Sequence, residues 1–469
     1  MKSIAVAALA AVIVHVPARA QSVPHQRLAR EIFEELIEIN TVDSVGNNTA
    51  AAEAMARRFR AAGFPDRDVF VGGPRPDKGN IVFRYRGRAA TSGPKPILLL
   101  AHLDVVQALK EDWSADLDPF TFTERDGYYY GRGTSDDKAM AAIFVANLIR
   151  LKREGFVPSR DIIVALTADE EGGPANGVDW LIQNHRGLVD AAFVINEGGG
   201  GALRDGKPFL HSVQATEKVY VDFTVEVRNR GGHSSVPRPD NAIYQLAAAL
   251  DRLGRYRFPV ELNEVTRAFL ERTASVETPE VAAAMRALAR NPRDGAAAGI
   301  VSMTPRYNST LRTTCVATML RGGHAPNALP QLAAANVNCR ILPNTSAAAV
   351  RDTLIRVIGD TAITISAAPA LPPTAPSPLL PELFTVVERL TREMFGNIPV
   401  IPTMGTGATD SKYFRAVGIP AYGVSGIFGD PNDGRAHGRD ERIAIKSFYD
   451  GQEFLYRLVR ELSGGAPLP

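Results

Sequence analysis

The sequence predicts an α/β fold in which a mostly parallel sheet carries helices on both faces and a second α+β domain is inserted. Two observations support this prediction. Short apolar runs at 97–101, 162–167 and 191–195 alternate with helical patterns, which is typical of parallel strands buried on both sides. From about residue 217 apolar and polar residues alternate strictly, which indicates a sheet with one face in solvent.

Length and composition limit the number of domains and the classes of function that the chain can have. The chain has 469 residues, of which 45% are hydrophobic and 22% charged, so about two domains with sizeable cores are expected. The formal net charge of +2 gives no indication of nucleic-acid binding. Cys315 and Cys339 are the only cysteines, too few for a thiolate zinc site, so any metal must be held by His and carboxylate side chains. A disulfide between them and two free thiols are both compatible with the sequence.

The first twenty residues have the pattern of a signal peptide. Lys2 precedes an apolar run over 4–16, and Ala18-Arg19-Ala20 is a small-x-small cleavage signal. A membrane anchor is the alternative, but the run is shorter than the roughly 20 residues that span a bilayer. We therefore expect cleavage after Ala20, no stable membrane anchor, and a periplasmic or secreted protein.

Periodicity predicts the remaining elements in order. Helical spacing indicates helices over 28–39, 138–152, 241–253 and, with interruptions, 263–288. Alternation predicts strands over 219–227, 313–320 and 336–342, and a short apolar strand returns at 421–424. A Pro-rich segment over 367–381 is typical of a linker. The predicted division is a signal peptide over 1–20, a first domain over 21–215 and 371–469, and an inserted domain over 216–370.

Acidic residues and a histidine follow the three apolar runs. The runs end at His102-Leu103-Asp104, at Asp169-Glu170-Glu171 and at Glu197. The carboxyl ends of parallel strands meet at one edge of a sheet, so these side chains are expected to lie together. Asp104 stands two residues after His102, where it can turn back and hydrogen-bond the imidazole. Two adjacent carboxylates repel each other unless a cation neutralises one of them, so the pattern favours a metal site over three unrelated turns.

Five motifs in this order resemble the dinuclear zinc amidohydrolases and metallopeptidases. The motifs are 102–106, 131–138, 169–172, 196–198 and 436–441. That family includes acetylornithine deacetylase, succinyl-diaminopimelate desuccinylase, glutamate carboxypeptidase and aminoacylase. The resemblance covers about 28–462, and 313–343 with 407–410 is most similar to the branch of carboxypeptidase S and N-fatty-acyl amino acid hydrolases.

The resemblance implies two Zn²⁺ ions per chain, with Co²⁺ or Mn²⁺ able to substitute. Asp136 would bridge the metals, His102 and Glu197 would complete one site, and Glu171 and His437 the other. Such ligands leave coordination positions open for a water molecule. Glu170 would be the general acid/base, and Asp104 would support His102 as a further catalytic residue.

The resemblance also assigns roles in the inserted domain, which becomes a lid and dimerisation domain. His233, in the motif 231–235, would polarise the substrate carbonyl, often in the active site of a partner subunit. Arg340 would bind a substrate carboxylate, with Asn327 and Thr409 as further substrate-binding residues. Three other histidines, His185, His211 and His324, have no role in the family pattern, and Ala139 replaces a glycine that many relatives have.

The predicted function is zinc-dependent hydrolysis of an amide bond next to a free carboxylate. The substrate would be a small peptide or an N-acyl amino acid, and a homodimer through the lid is expected. Two alternatives stay open. An aminopeptidase with the same metal centre would need an acidic anchor for the substrate amine, and a catalytically inactive relative would serve as a binding module.

Overall fold

The computed structural model describes residues 23–88, 93–370 and 372–468. The predicted signal peptide over 1–20 lies outside the described residues. Within these three ranges, no helix combines the length and the apolar character that crossing a bilayer requires.

The predicted helices and strands occur close to their predicted positions, and the structure adds helices and strands that periodicity did not predict. The helices are α1 Pro24–Glu38, α2 Asn48–Ala61, α3 Lys138–Arg153, α4 Gly177–Asn184, α5 Arg186–Val189, α6 Ala242–Arg255, α7 Glu264–Thr273, α8 Pro279–Arg290, α9 Gly295–Ser302, α10 Pro305–Leu311, α11 Ala347–Ile358, α12 Pro381–Phe395, α13 Ser411–Ala416 and α14 Ile445–Leu462. The strands are β1 Val69–Gly72, β2 Asn80–Tyr85, β3 Ile97–His102, β4 Thr123–Arg125, β5 Tyr128–Tyr130, β6 Ile162–Thr167, β7 Phe193–Asn196, β8 Gly201–Arg204, β9 Lys207–Glu217, β10 Val219–Arg228, β11 Gly232–His233, β12 Thr314–Gly322, β13 Ala328–Leu329, β14 Leu332–Ile341, β15 Ile363–Ala367, β16 Val400–Gly405, β17 Ala421–Gly423, β18 Phe428–Gly429 and β19 Arg442–Ala444.

The large sheet has the strand order β1-β2-β6-β3-β7-β17-β9-β8-β18, and β16 pairs with β9. The four strands from β6 to β17 run parallel to one another. Every residue of β3 and β6 is buried. The predicted α/β class with a mostly parallel central sheet is confirmed.

Helices cover both faces of this sheet, as the continuous apolar runs predict. In β3, Ile97 and Leu99 belong to a core shared with α1, α2, α3 and α14. Leu98 and Leu100 point the other way, into a second core with α4, α5 and α13. Because successive strand residues face opposite sides, only a strand covered on both sides is apolar at every position.

The inserted domain contains a four-stranded sheet in the order β12-β14-β10-β15, formed by residues between 219 and 367. Along β10 the buried residues Val221, Phe223, Val225 and Val227 alternate with more exposed ones, as predicted. The buried face packs against α6 and α11. A disulfide joins Cys315 to Cys339, which are paired in register on β12 and β14 with their Cα atoms 4.1 Å apart. The predicted limits at 216 and 370 stay predictions.

Between α6 and β12 the inserted domain carries four helices, α7 to α10, which we call the helical insertion (Glu264–Leu311). They form a core of their own. Helix α7 packs against β16 of the large sheet, where the Arg272 guanidinium donates to the Val400 carbonyl at 2.8 Å. Periodicity predicted helix only as far as residue 288, so α9 and α10 were missed.

Candidate active site

The predicted metal-binding side chains lie at one edge of the large sheet. His102 is the last residue of β3, Glu170 and Glu171 follow β6, and Glu197 follows β7. These three strands are adjacent and parallel, so their carboxyl ends meet. Asp136 reaches the same edge from the loop before α3, and His437 from the loop before β19.

Asp136 stands between two histidines. Its Oδ1 is 2.9 Å from His102 Nε2, and its Oδ2 is 3.2 Å from His437 Nε2. His437 Nε2 is also 3.0 Å from Glu171 Oε2. Candidate ligand atoms of His102, Asp136 and Glu171 lie within 4.8 Å of one another, and so do those of His102, Glu170 and Glu197. One carboxylate with a different histidine on each oxygen has the arrangement needed to bridge two ions.

Charge and unmet hydrogen bonding show that this cluster fits cations. Glu171 Oε1 is buried and has no hydrogen-bond partner among the described residues. Burial, followed by the charge of Asp136, raises the pKa of Glu197 well above its ordinary value. Hydrogen bonds to Asp136 and Glu171 raise the pKa of His437 to about 10. The acids outnumber the histidines, and a metal ion supplies the missing positive charge.

The loop that carries Asp136 is held by Glu441, which is fully buried. Glu441 accepts hydrogen bonds from the backbone N–H groups of Ser135 at 2.8 Å and Asp136 at 3.2 Å. Its other oxygen accepts from Arg132 at 2.7 Å. Sequence reasoning quoted Glu441 only as part of a motif and missed this role, since its partners stand about 300 residues earlier in the chain.

Asp104 differs from its prediction in one respect. The hydrogen-bond partner of His102 Nδ1 is the backbone carbonyl of Asp104, at 2.9 Å, and the Asp104 carboxylate is 3.7 Å away. The carboxylate instead accepts hydrogen bonds from the backbone N–H groups of Glu170, at 3.1 Å, and Glu171, at 2.9 Å. The expected carboxylate–imidazole hydrogen bond is therefore wrong, because the carboxylate is already bonded to the turn after β6.

The turn that carries Glu170 and Glu171 has a second anchor. The buried ammonium of Lys78 is 2.5 Å from Asp169 Oδ1 and 2.6 Å from Asp43 Oδ1. Sequence reasoning missed Lys78, because a single lysine before a strand gives no signal of such a role. Glu170 itself is close to Asp410, and burial together with the Asp410 charge raises the pKa of Glu170 to about 8.

Arg340 and Thr409 lie where the inserted domain meets the large sheet. The Arg340 guanidinium donates to the Thr406 carbonyl at 3.3 Å and lies 4.6 Å from the centre of the Tyr220 ring. Thr409 is buried, and its hydroxyl donates to Glu217 Oε2 at 2.8 Å. Thr409 thus has a structural partner, and its contact with a substrate stays a prediction.

His233 and Asn327 lie elsewhere. His233 belongs to the two-stranded pair of β11 and β13, and its ring accepts a hydrogen bond from Ser235 at 2.7 Å. Both residues are exposed, near the end of β14 at which Leu332 stands. Arg340 is eight residues further along that strand, so it lies about 27 Å from Leu332 at the rise per residue of an extended chain. One chain therefore does not bring His233 and Asn327 to the edge where its own Arg340 lies.

Comparisons with known proteins show the family to which the chain belongs. The model of the family described as peptidase family M20/M25/M40 matches residues 98–461. An N-fatty-acyl-amino acid synthase/hydrolase of Xenopus tropicalis is 30% identical over 373 residues, covering 78% of this chain and 72% of that protein. A carboxypeptidase S-like protein of Dictyostelium discoideum is 30% identical over 394 residues, covering 81% and 74%.

Solved structures share the fold. An M20 family metallo-carboxypeptidase of Sulfolobus solfataricus superposes with a TM-score of 0.68 at 18% identity, covering 93% of this chain and 99% of that one. A Bacillus subtilis protein described as a dinuclear metal-binding peptidase of the M20 family has a TM-score of 0.59 at 11% identity, covering 94% and 99%. The chain belongs to the peptidase family M20/M25/M40.

Proposed function

We propose that this M20 amidohydrolase cleaves the amide bond of small substrates with a free carboxylate, above all N-acyl amino acids, with dipeptides as the second class. The observation that carries the proposal is Asp136, which has one histidine on each carboxylate oxygen, beside the half-buried Glu170. The names of the relatives, an N-fatty-acyl-amino acid hydrolase and a carboxypeptidase S-like protein, support these two substrate classes.

Two metal ions would be held by five side chains. His102, Asp136 and Glu197 would hold the first ion, and Asp136, Glu171 and His437 the second. Imidazole nitrogen and carboxylate oxygen suit Zn²⁺, with Co²⁺ or Mn²⁺ as substitutes. When bound, the ions supply Lewis acidity and a water molecule acidic enough to act at neutral pH. The buried, unpartnered Glu171 Oε1 supports a ligand role for that residue.

Glu170 would move the proton. As the attacking water adds to the substrate carbonyl carbon, Glu170 accepts its proton, and it then donates that proton to the nitrogen of the breaking C–N bond. The products are a carboxylic acid and an amine. Asp104, hydrogen-bonded to the backbone of Glu170, would keep the base in position. Burial and the charge of Asp410 raise the pKa of Glu170, which favours the acceptance of a proton.

Arg340 would bind the substrate carboxylate, since its planar guanidinium can donate two parallel hydrogen bonds to the two oxygens. The neighbouring Lys218 is buried, and burial together with the charge of Arg340 lowers the pKa of Lys218 to about 7. A bound anion would favour the protonated form of Lys218 and offset the repulsion between its ammonium and the Arg340 guanidinium. Asn327 and Thr409 are proposed as further substrate contacts.

We propose a homodimer through the lid, in which His233 of the partner subunit completes each active site. The separation of about 27 Å between the two ends of β14 supports this arrangement. The edge strand β12 exposes Val316, Met319 and Leu320, and the neighbouring helix α6 exposes Tyr244. An edge strand with exposed apolar residues is suited to pairing with another copy.

We propose export to the periplasm or the medium. The Cys315–Cys339 disulfide supports this location, because such bonds persist in oxidising compartments. The predicted signal peptide over 1–20 is consistent with it.

The test is a substrate panel with metal control. Purified protein is assayed on N-acyl amino acids, on dipeptides and on aminopeptidase substrates that lack a free carboxylate, before and after chelation and with Zn²⁺ restored. We expect chelation to abolish hydrolysis of the first two classes and Zn²⁺ to restore it. Preference for the third class would establish the aminopeptidase alternative, and inactivity on all three would establish the binding module.

A further inference from the structure

A cavity of about 790 Å³ lies between the helical insertion and the large sheet. Its inner end is formed by Glu197, one of the proposed metal ligands, and by Asp137, which follows the proposed bridging residue. Arg340 is not among the lining residues. The cavity therefore reaches the metal centre from a direction other than the proposed carboxylate anchor.

Apolar side chains from the helical insertion and from the large sheet form much of the wall. The insertion contributes Phe269 from α7 and Tyr307 from α10, whose rings meet edge to face at 5.9 Å. The large sheet contributes Phe209 and Ile401, and α3 contributes Met140. The Tyr307 hydroxyl donates to Glu277, which fixes the orientation of the ring.

The outer end of the cavity opens to solvent. Three exposed residues line this end: Arg204 at the end of β8, Asp205 in the turn that follows, and Arg306 near the start of α10. Polar residues such as Thr273, Thr403 and Glu277 also line the cavity. A channel with apolar side chains along much of its wall, a proposed metal ligand at one end and charged residues at the other fits an extended group attached to the reacting bond. Its volume lies within the range of about 300–1,000 Å³ that is typical of small-molecule sites.

We propose that this cavity binds the acyl group of the substrate, that the group is an apolar chain, and that the helical insertion sets the length of chain accepted. The inference rests on the proposed function, in which the carboxylate lies on Arg340 and the amide lies at the metals. The group on the other side of the amide then has to leave the metal centre past Glu197, where the cavity begins. Each methylene buried against these walls raises kcat/KM by up to about fourfold.

The experiment measures kcat/KM for acetyl, hexanoyl and dodecanoyl derivatives of one amino acid. In the wild-type enzyme we expect kcat/KM to increase with chain length. Ala202 lines the cavity, so Ala202→Phe narrows it. The ratio of dodecanoyl to acetyl kcat/KM should fall by about tenfold or more in this variant. Ala367→Phe is the matched control, since Ala367 is an exposed strand residue of β15 that does not line the cavity, and its ratio should equal the wild-type ratio.

A second variant keeps the inference testable if Ala202→Phe does not fold. Phe269→Ala removes part of the wall and should raise the ratio of hexadecanoyl to dodecanoyl kcat/KM above the wild-type ratio, and thermal unfolding reports whether each variant is folded. Equal kcat/KM values of the wild-type enzyme for the acetyl and dodecanoyl derivatives would overturn the inference. So would an equal fall in kcat/KM for all three derivatives in Ala202→Phe. Hydrolysis of dipeptides and acetyl amino acids without any chain preference would leave the proposed function standing and remove only the acyl site.

Discussion

The sheet edge that carries the metal ligands and the two-stranded tip that carries His233 are built in opposite ways. Asp136 is held through its backbone by the fully buried Glu441 and lies between two histidines. His233 is exposed, and its imidazole is hydrogen-bonded to Ser235 within its own turn. The difference teaches that one chain brings the proposed metal ligands together by itself, whereas it leaves His233 apart from them.

The largest expected effect concerns Glu170, at the edge of the large sheet that carries the proposed metal ligands. Glu170→Ala should lower kcat by about 10³-fold or more, because the water and the departing amine lose their proton carrier. Both metals should remain, as measured by elemental analysis of the purified variant. Glu382→Ala, at an exposed glutamate of α12, is the control and should keep full activity. Since Glu170 lies within 4.8 Å of ligand atoms of His102 and Glu197, loss of metal would show that it is a ligand.

A complementation experiment tests the role of His233, on the two-stranded tip of β11 and β13. Glu170→Ala and His233→Ala should each be inactive alone. Mixing them with exchange of subunits should restore about a quarter of wild-type activity, because half of the dimers are hybrids and one of their two sites is intact. No recovery, despite subunit exchange shown by differently tagged chains, would mean that His233 serves its own chain or no active site at all.

Metal content distinguishes the two proposed sites. His437→Ala should bind one metal ion per chain in place of two, because Glu171 alone is left beside the bridging Asp136. Asp136→Ala should weaken both ions. Glu441→Gln keeps the ligands but weakens the hold on their loop, so metal affinity should fall by about 10- to 100-fold. Equilibrium titration with Zn²⁺ measures all three, and an unchanged stoichiometry in His437→Ala would contradict the ligand assignment.

The smallest expected effect is that of the disulfide in the lid. Replacing Cys315 and Cys339 by serine should cost about 2–4 kcal/mol of unfolding free energy. The metal content should stay unchanged, since none of the five proposed metal ligands belongs to β12 or β14. Chemical denaturation gives the stability. Two reactive thiols in the denatured, unreduced wild-type protein would rule the bond out.

The fold and the meeting of the strand-end residues were predictable from local patterns, whereas Asp136 and His437 were assigned from the family resemblance. The apolar runs that became β3 and β6 can only be strands covered on both faces, and such strands bring their ends together. The helices α9 and α10 were missed because they are short and rich in Ala, Gly and polar residues. The roles of Lys78 and Glu441 could not be predicted, since each pairs with residues that are distant in the sequence.

The most direct test of the account compares free-acid substrates with the same substrates carrying a terminal amide. The account predicts that the amide is cleaved more than about tenfold more slowly, because the Arg340 guanidinium loses its anionic partner. Arg340→Ala should keep both metals and remove most of that difference by slowing the free acid. Wild-type enzyme that cleaved both forms at the same rate would contradict the account.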